Sequence, residues 1–346
     1  MPLKKTRLPA VAKLCLAMII LSDFQLDAAT SLQHPVRDTV YWQESGRKMA
    51  TPQAIKALAV FNHQLYVGSA TGVAVLRDNQ LISTPGLTAP ISRLVATSDA
   101  LWAIGSPGLY RWQNDKWQTI STERISDLTE HGDRTIVSLG RKLAIVEANN
   151  LTPLASKDGP FPITRVISHC ETLYVQGAGR LTLFDGEKIG GRNVYKWSSD
   201  EAWDWGSLPS RTITDALSHG NRLYLATDRG LGLLQGMSLT HIRGEQGLCY
   251  EDTTCLSLGF DNDLWIGTTR GAIRMIGGSF HYFAGQRWLP HDQVNAIASN
   301  ETRVYIATEK GLGIINYEPF TLQKKAAYYE RHLEEWGQKR LGFTHK

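Results

Sequence analysis

Arg229, Arg270 and Lys310 each stand one residue before a glycine, in the segments ATDRG, GTTRG and ATEKG. Three such cations gathered in one place would hold a carboxylate or a sulfate. Asp228 and Glu309 precede two of them and would partly neutralise the patch; a set of solvated turns is the alternative. A second cluster is aromatic. Tyr195, Trp197, Trp203 and Trp205 crowd the stretch GGRNVYKWSSDEAWDWGSLPSRT. Exposed faces of Trp203 and Trp205 would stack on sugar rings. The alternative is that they fill a strand and a packing interface, as Trp112 and Trp117 are expected to do.

Nothing else in the chain forms a catalytic set. There is no GxSxG, no HExxH and no phosphate loop. The ten histidines are scattered, and His291-Asp292 read as loop residues. No catalytic residue, cofactor or metal site is expected, and no Cys/His spacing suits zinc. Cys249 and Cys255 flank a short polar stretch where a loop enters a strand (GLCYEDTTCL). A local disulfide there is one reading, and two unpaired thiols the other. Cys170 falls in a turn and has no obvious partner.

The elements that would position these residues come from a repeat of 22 residues. Its seven copies begin at Ile55, Ile91, Ile125, Ile163, Ile213, Thr254 and Val294. Each opens with alternating apolar residues, passes a polar turn, and enters a β-prone run such as Leu223-Tyr224-Leu225. A glycine-containing turn and a third apolar run follow, as in Leu231 to Leu234. Such runs bounded by Gly, Asn, Asp and Ser read as a strand meander. The copies start 36, 34, 38, 50, 41 and 40 residues apart, which leaves room for a fourth strand such as Lys116 to Ile120. Repeats of this period indicate a solenoid, a propeller or an array. The apolar spacing is not the 3.6-residue period of helices, and a closed ring removes the exposed edges of an open stack.

The expected fold is therefore all-β: a seven-bladed β-propeller over residues 38–320, with a short C-terminal α-helix. The seventh copy lacks a fourth strand after Ile315, whereas Val40-Tyr41-Trp42-Gln43 is a strand without a blade. Together they predict that the N-terminal strand completes the last blade. Gly72, Gly108, Gly230, Gly271 and Gly311 occupy one turn slot, where positive φ suits glycine. Lys142 and Arg180 replace them in copies three and four, so altered turns are expected there. Residues 321–346 form a helix or linker, with Leu322, Ala326, Tyr329, Leu333 and Trp336 in one apolar stripe.

The segments LWIGTTRGAIRM, LYLATDRGLGLL, VYIATEKGLGII and LPHDQVNAI resemble the two-component-regulator propeller repeat family over about residues 40–320. That resemblance implies a seven-bladed propeller. It also implies a setting like the periplasmic part of sensor kinases, where such propellers recognise oligosaccharides. Other members carry the propeller beside enzymatic domains. This chain departs from the sensor type, with one ring and no kinase or membrane-spanning segment.

The formal charge of +4 is held in the ends. Residues 1–30 carry net +2, residues 321–346 net +3, and the region between net −1. That distribution argues against nucleic acid as a partner. Lys4, Lys5, Arg7 and Lys13, the apolar run Leu14 to Leu21, and Ala28–Ala29 read as a signal peptide over residues 1–29. The run is too short to span a membrane. The expectation is an exported protein, secreted or periplasmic. Its leading function is non-enzymatic recognition of a glycan or protein partner, such as an acidic oligosaccharide, on one propeller face. The alternatives are a polysaccharide-active enzyme of the uronic-acid lyase type, or the propeller part of a multidomain protein with a further domain after residue 346.

Overall fold

The repeat resolves into strands wherever apolar residues alternate, and each unit folds back on itself through tight turns. The computed structural model describes residues 41–155, 158–184, 189–193, 208–236, 238–324, 326–327, 329–331 and 333. Residues 1–40 lie outside these, and with them the signal peptide and Val40. The tryptophan-rich stretch 194–207, with Trp203 and Trp205, lies outside them too. Residues 43–318 form one compact unit; residues 1–42 and 319–346 form another.

Seven antiparallel four-stranded sheets follow one another along the chain. Their inner strands are Ile55–Phe61, Ile91–Ala96, Ile125–His131, Arg165–His169, Ile213–His219, Thr253–Leu258 and Val294–Ser299. A blade this thin cannot bury both of its faces alone. Seven buried clusters answer this, each built from two neighbouring blades. Between blades one and two, for example, Tyr66, Leu94 and Trp117 pack together. Trp112 lies 5.3 Å from Trp117, in the packing role expected of both.

The last blade is completed from the other end of the chain. Strand Tyr41–Ala50 pairs beside Gly311–Phe320, so the seventh sheet contains both termini of the ring. The amide of Thr51 donates to Lys310 O at 3.2 Å. Apolar residues seal the same seam: Ile55, Leu58 and Val67 pack against Tyr305, Leu312 and Ile314. The expected closure is thus present, with a longer strand than the sequence marked.

The recurring turn glycines all have positive φ, from 104° at Gly108 to 136° at Gly311. Each also lets another segment approach. A Cβ on Gly108, Gly230 or Gly271 would meet the carbonyl ending its own fourth strand, one on Gly72 would meet Leu87 O in the loop after that strand, and one on Gly311 would meet Met49 O. Blades three and four turn differently, through Gly140-Arg141 and Ala178-Gly179, with Gly140, Ala178 and Gly179 at positive φ.

The register corrects one boundary. Thr253 pairs with Thr268 as Ile213 pairs with Thr227. The sixth copy therefore begins at Thr253 rather than Thr254, and its extra residue lies in the turn between Leu258 and Leu264. Beyond the ring, the described residues from 322 to 333 are helical, and Leu322, Tyr329 and Leu333 on that helix are exposed.

Candidate binding vestibule

Six inner strands carry a bulge just after the first residue, because two residues there oppose one on the second strand. A bulge re-aims side chains. Here it delivers two polar registers to the channel. The second residues are Lys56, Ser92, Ser126, Thr164, Thr214, Thr254 and Asn295; the third are Ala57, Arg93, Asp127, Arg165, Asp215, Cys255 and Ala296.

The second register stitches blades together. Thr214 Oγ1 donates to Thr253 O at 2.8 Å, Thr254 Oγ1 to Val294 O at 2.8 Å, and Asn295 Nδ2 to Ile55 O at 2.8 Å. The last of these crosses the closure seam.

The third register forms an ionic network. Arg93 Nε lies 2.9 Å from Asp127 Oδ1, and Arg165 Nη1 lies 2.9 Å from Asp215 Oδ1. Arg93 Nη1 also comes within 3.7 Å of Asp215 Oδ1. The second oxygen of each carboxylate accepts a backbone N–H from the following blade: Val166 N at 3.0 Å on Asp127 and Leu256 N at 2.8 Å on Asp215. Asp127 is almost fully buried, whereas the Arg93 side chain keeps 32% of its surface exposed. Asp127 thus sits behind the Arg93 guanidinium, whereas Asp215 lines the throat together with Arg93 and Arg165. Burial pushes the Arg165 guanidinium down, with Asp215 opposing it. Burial acts the same way on Arg93, but Asp127 and Asp215 outweigh it and the net shift is upward.

The network floors a throat of about 340 Å³. A wider depression of about 850 Å³ opens beside it over blades two and three. The two share Lys56, Ser92, Ser126, Thr164 and Asn295, so they form one vestibule. Lys56 is paired with Glu309 at 2.6 Å, and that bond holds the Glu309 carboxyl below its ordinary range.

Arg229, Arg270 and Lys310 occupy equivalent turns between second and third strands, and all three are exposed. Their shape comes from a buried threonine. Thr227, Thr268 and Thr308 each donate Oγ1 to the turn glycine carbonyl, at 2.7, 2.8 and 2.8 Å. The same oxygens accept the backbone N–H of the cation. These turns share a face with Ser106-Pro107, which edges the vestibule. None of the three cations lines the vestibule itself, and the Arg270 guanidinium lies 5.2 Å from the Tyr250 ring centroid. The register puts Arg141 in the same slot of blade three, where Nε donates to Gly159 O at 2.7 Å.

The Cys249–Cys255 bridge is not formed. Both thiols are free, Cys249 exposed and Cys255 buried on an inner strand. Burial pushes the Cys255 thiol up to about 12. His291 Nδ1 accepts the backbone N–H of Gln293 at 3.1 Å, a local loop contact. Among the described residues, no group of His, Cys, Asp and Glu could hold a metal ion.

Sequence reasoning missed Arg93, Asp127, Arg165 and Asp215. A signal was there: the third residue of four consecutive copies alternates Arg, Asp, Arg, Asp.

No protein-family model and no curated protein matches the chain. Solved structures do. Extracellular domains of two putative hybrid two-component systems from B. thetaiotaomicron superpose with TM-scores of 0.63 and 0.64, each at 12% identity over 79% of this chain. The chain shares their fold. It spans about two fifths of their length (40% and 41%). A catalytically inactive virginiamycin B lyase from Staphylococcus aureus, crystallised with quinupristin, superposes with a TM-score of 0.60 at 10% identity, covering 79% of this chain and 99% of the lyase. At such identities the likeness is one of fold. It agrees with the two-component-regulator propeller resemblance read from the repeats. Among the described residues, no helix is long and apolar enough to cross a membrane.

Proposed function

We propose that the protein is an exported, non-enzymatic recognition module that binds a glycan or protein partner on the turn face of the ring. The observation that carries this reading is the vestibule. It is open and polar, and it lies on the face that also presents Arg229, Arg270 and Lys310. Recognition sites are commonly preformed concavities with a few placed polar groups. A scaffold stitched at every seam keeps such groups in place without a hinge. The extracellular setting of the similar domains from B. thetaiotaomicron supports an exported role.

The test is a glycan array probed with the wild type and with a triple variant, Arg229→Ala with Arg270→Ala and Lys310→Ala. Binding by the wild type that weakens in the variant is expected. Absence of wild-type binding to glycans and to candidate extracellular proteins would remove the reading. The enzymatic alternative, a uronic-acid lyase, would use Arg229, Arg270 and Lys310 to neutralise the carboxylate and His291 as the base. It is settled with the same protein by following unsaturated-product absorbance on uronic-acid polymers. The expected result is no signal, because the Nδ1 of His291, its conceivable base, is held by the Gln293 N–H.

A further inference from the structure

We propose that the vestibule binds an acidic sugar, with Arg93 in the throat and Arg124 at the mouth holding its carboxylate or sulfate groups. The inference rests on the recognition reading above and names the ligand class and the residues for it.

Three observations converge. Arg93 is a guanidinium with unspent donors. Its Nη1 and Nη2 form no hydrogen bond with the described residues and the side chain keeps 32% of its surface exposed, whereas the buried Nε faces Asp127 at 2.9 Å, out of a ligand's reach. Its remaining approach to a carboxylate is the 3.7 Å distance to Asp215. A planar anion entering the throat would supply what those carboxylates, already engaged by backbone N–H groups, do not. Guanidinium groups bind such anions through paired N–H donors.

Among the described residues, no carboxylate lines the wider part of the vestibule. Arg124 stands there exposed, and among the described residues no acidic side chain forms an ion pair with it. The third observation is the density of hydroxyls. Ser106, Thr122 and Ser126 all line the depression, and their hydroxyls form no hydrogen bond with the described residues. Prolines and isoleucines (Pro90, Pro107, Ile91, Ile125) supply its apolar patches, and among the described residues no aromatic ring lines it. The lining suits a hydroxylated anion held by hydrogen bonds and charge. A volume of about 850 Å³ lies in the range of small-ligand sites. On this account the exposed rim cations Arg229, Arg270 and Lys310 steer the anion from a distance and do not hold it.

The experiment is calorimetric titration of the protein with three probes: a galacturonic acid trisaccharide, a heparin-derived disaccharide and neutral maltotriose. Wild type is expected to bind one or both acidic probes and not maltotriose. Arg124→Ala should weaken binding by roughly tenfold, the loss of one charge-assisted hydrogen bond. Arg93→Lys keeps the charge beside Asp127 and Asp215 and loses the planar fork, and it should weaken binding by at least as much; its Tm, measured alongside, separates lost binding from lost folding. The triple rim variant should weaken binding only about threefold, an effect that vanishes at high salt. If the rim variant abolishes binding while Arg93→Lys and Arg124→Ala leave it intact, this site is wrong and the recognition reading stands. If the wild type binds neither acidic probe but binds other array ligands, the acidic-sugar proposal falls alone.

Discussion

Arg93 of blade two reaches to within 3.7 Å of Asp215 of blade five, although the two blades are not neighbours. The bridge crosses the channel and joins two local pairs, Arg93–Asp127 and Arg165–Asp215. Those pairs span the seams between blades two and three and between blades four and five. At these two seams the inner strands approach each other least. Elsewhere Thr214, Thr254 and Asn295 stitch adjacent inner strands directly. The long, charged side chains thus bridge where short polar ones do not reach.

Replacing Asp215 by Asn tests that role. The variant removes the negative charge shared by Arg93 and Arg165 and weakens the acceptor for the Leu256 N–H. Breaking one partner of a largely buried pair leaves the other charge uncompensated, and about 3 kcal/mol should be lost. The urea midpoint should fall without a change of slope. A midpoint equal to wild type would show that the network adds nothing to ring stability.

Gly311 should be the least replaceable of the turn glycines in the closure. It sits at φ 136°, and an added Cβ would run into Met49 O of the N-terminal strand. Gly311→Ala should cost about 3 kcal/mol, combining backbone strain with displacement of the closing strand. Gly277 is the control, with φ 56° and open space around its Cα. Gly277→Ala should cost about 1 kcal/mol. Equal losses in urea titrations would mean that closure gains nothing from the close approach at Gly311.

The ring was legible because its determinants recur. An apolar residue opens most copies, the turn glycine keeps its slot in five of them, and Val40–Gln43 stood as a strand without a blade. Those features answer to packing and backbone geometry, which every blade shares. The vestibule was not legible for the converse reason. Its third-position residues run Ala, Arg, Asp, Arg, Asp, Cys, Ala and serve the channel, where no two blades have the same neighbours. The bulge that aims them leaves no mark in the apolar pattern. Starting the sixth copy at Thr254 instead of Thr253 also hid Cys255 as a member of that register. The turn cations were placed on one face as expected, but their spacing could not tell a rim from a lining.

Acid should weaken the seam between blades four and five through His169. Its Nδ1 lies 2.8 Å from Ser218 Oγ of the next blade, and Cys170 Sγ lies 3.5 Å from its Nε2. Cys170 and Glu171 follow it in the turn, the Tyr174 ring centroid lies 6.3 Å from its own, and Arg165 on the same inner strand and His219 on the facing one are the further charged or titratable groups. Burial pushes the His169 imidazole below its ordinary value of 6.5. The unfolded chain therefore binds the proton more readily than the folded one. The resulting stability is full above pH 6.5 and is lost as pH falls from there through the lower folded value. His169→Gln keeps a polar partner for Ser218 and removes the titration. Its stability should change less between pH 7 and pH 5 than that of wild type. Parallel pH profiles for the two proteins would assign the effect elsewhere.

The described cysteines should differ sharply in reactivity. Cys170 and Cys249 are exposed, whereas Cys255 is buried on an inner strand with its thiol pushed up to about 12. The thiolate is the reactive species, so Cys255 has neither the charge state nor the access to react at pH 8. Burial also raises the Cys249 thiol, which should slow its alkylation. Iodoacetamide followed by peptide mass spectrometry should show Cys170 and Cys249 modified in the native protein, and Cys255 only after denaturation. A Cys249–Cys255 bridge formed on export would leave both unmodified in either state until a reductant is added. That pattern would show that the loop from Cys249 to Thr254 rearranges to bring the buried thiol into reach.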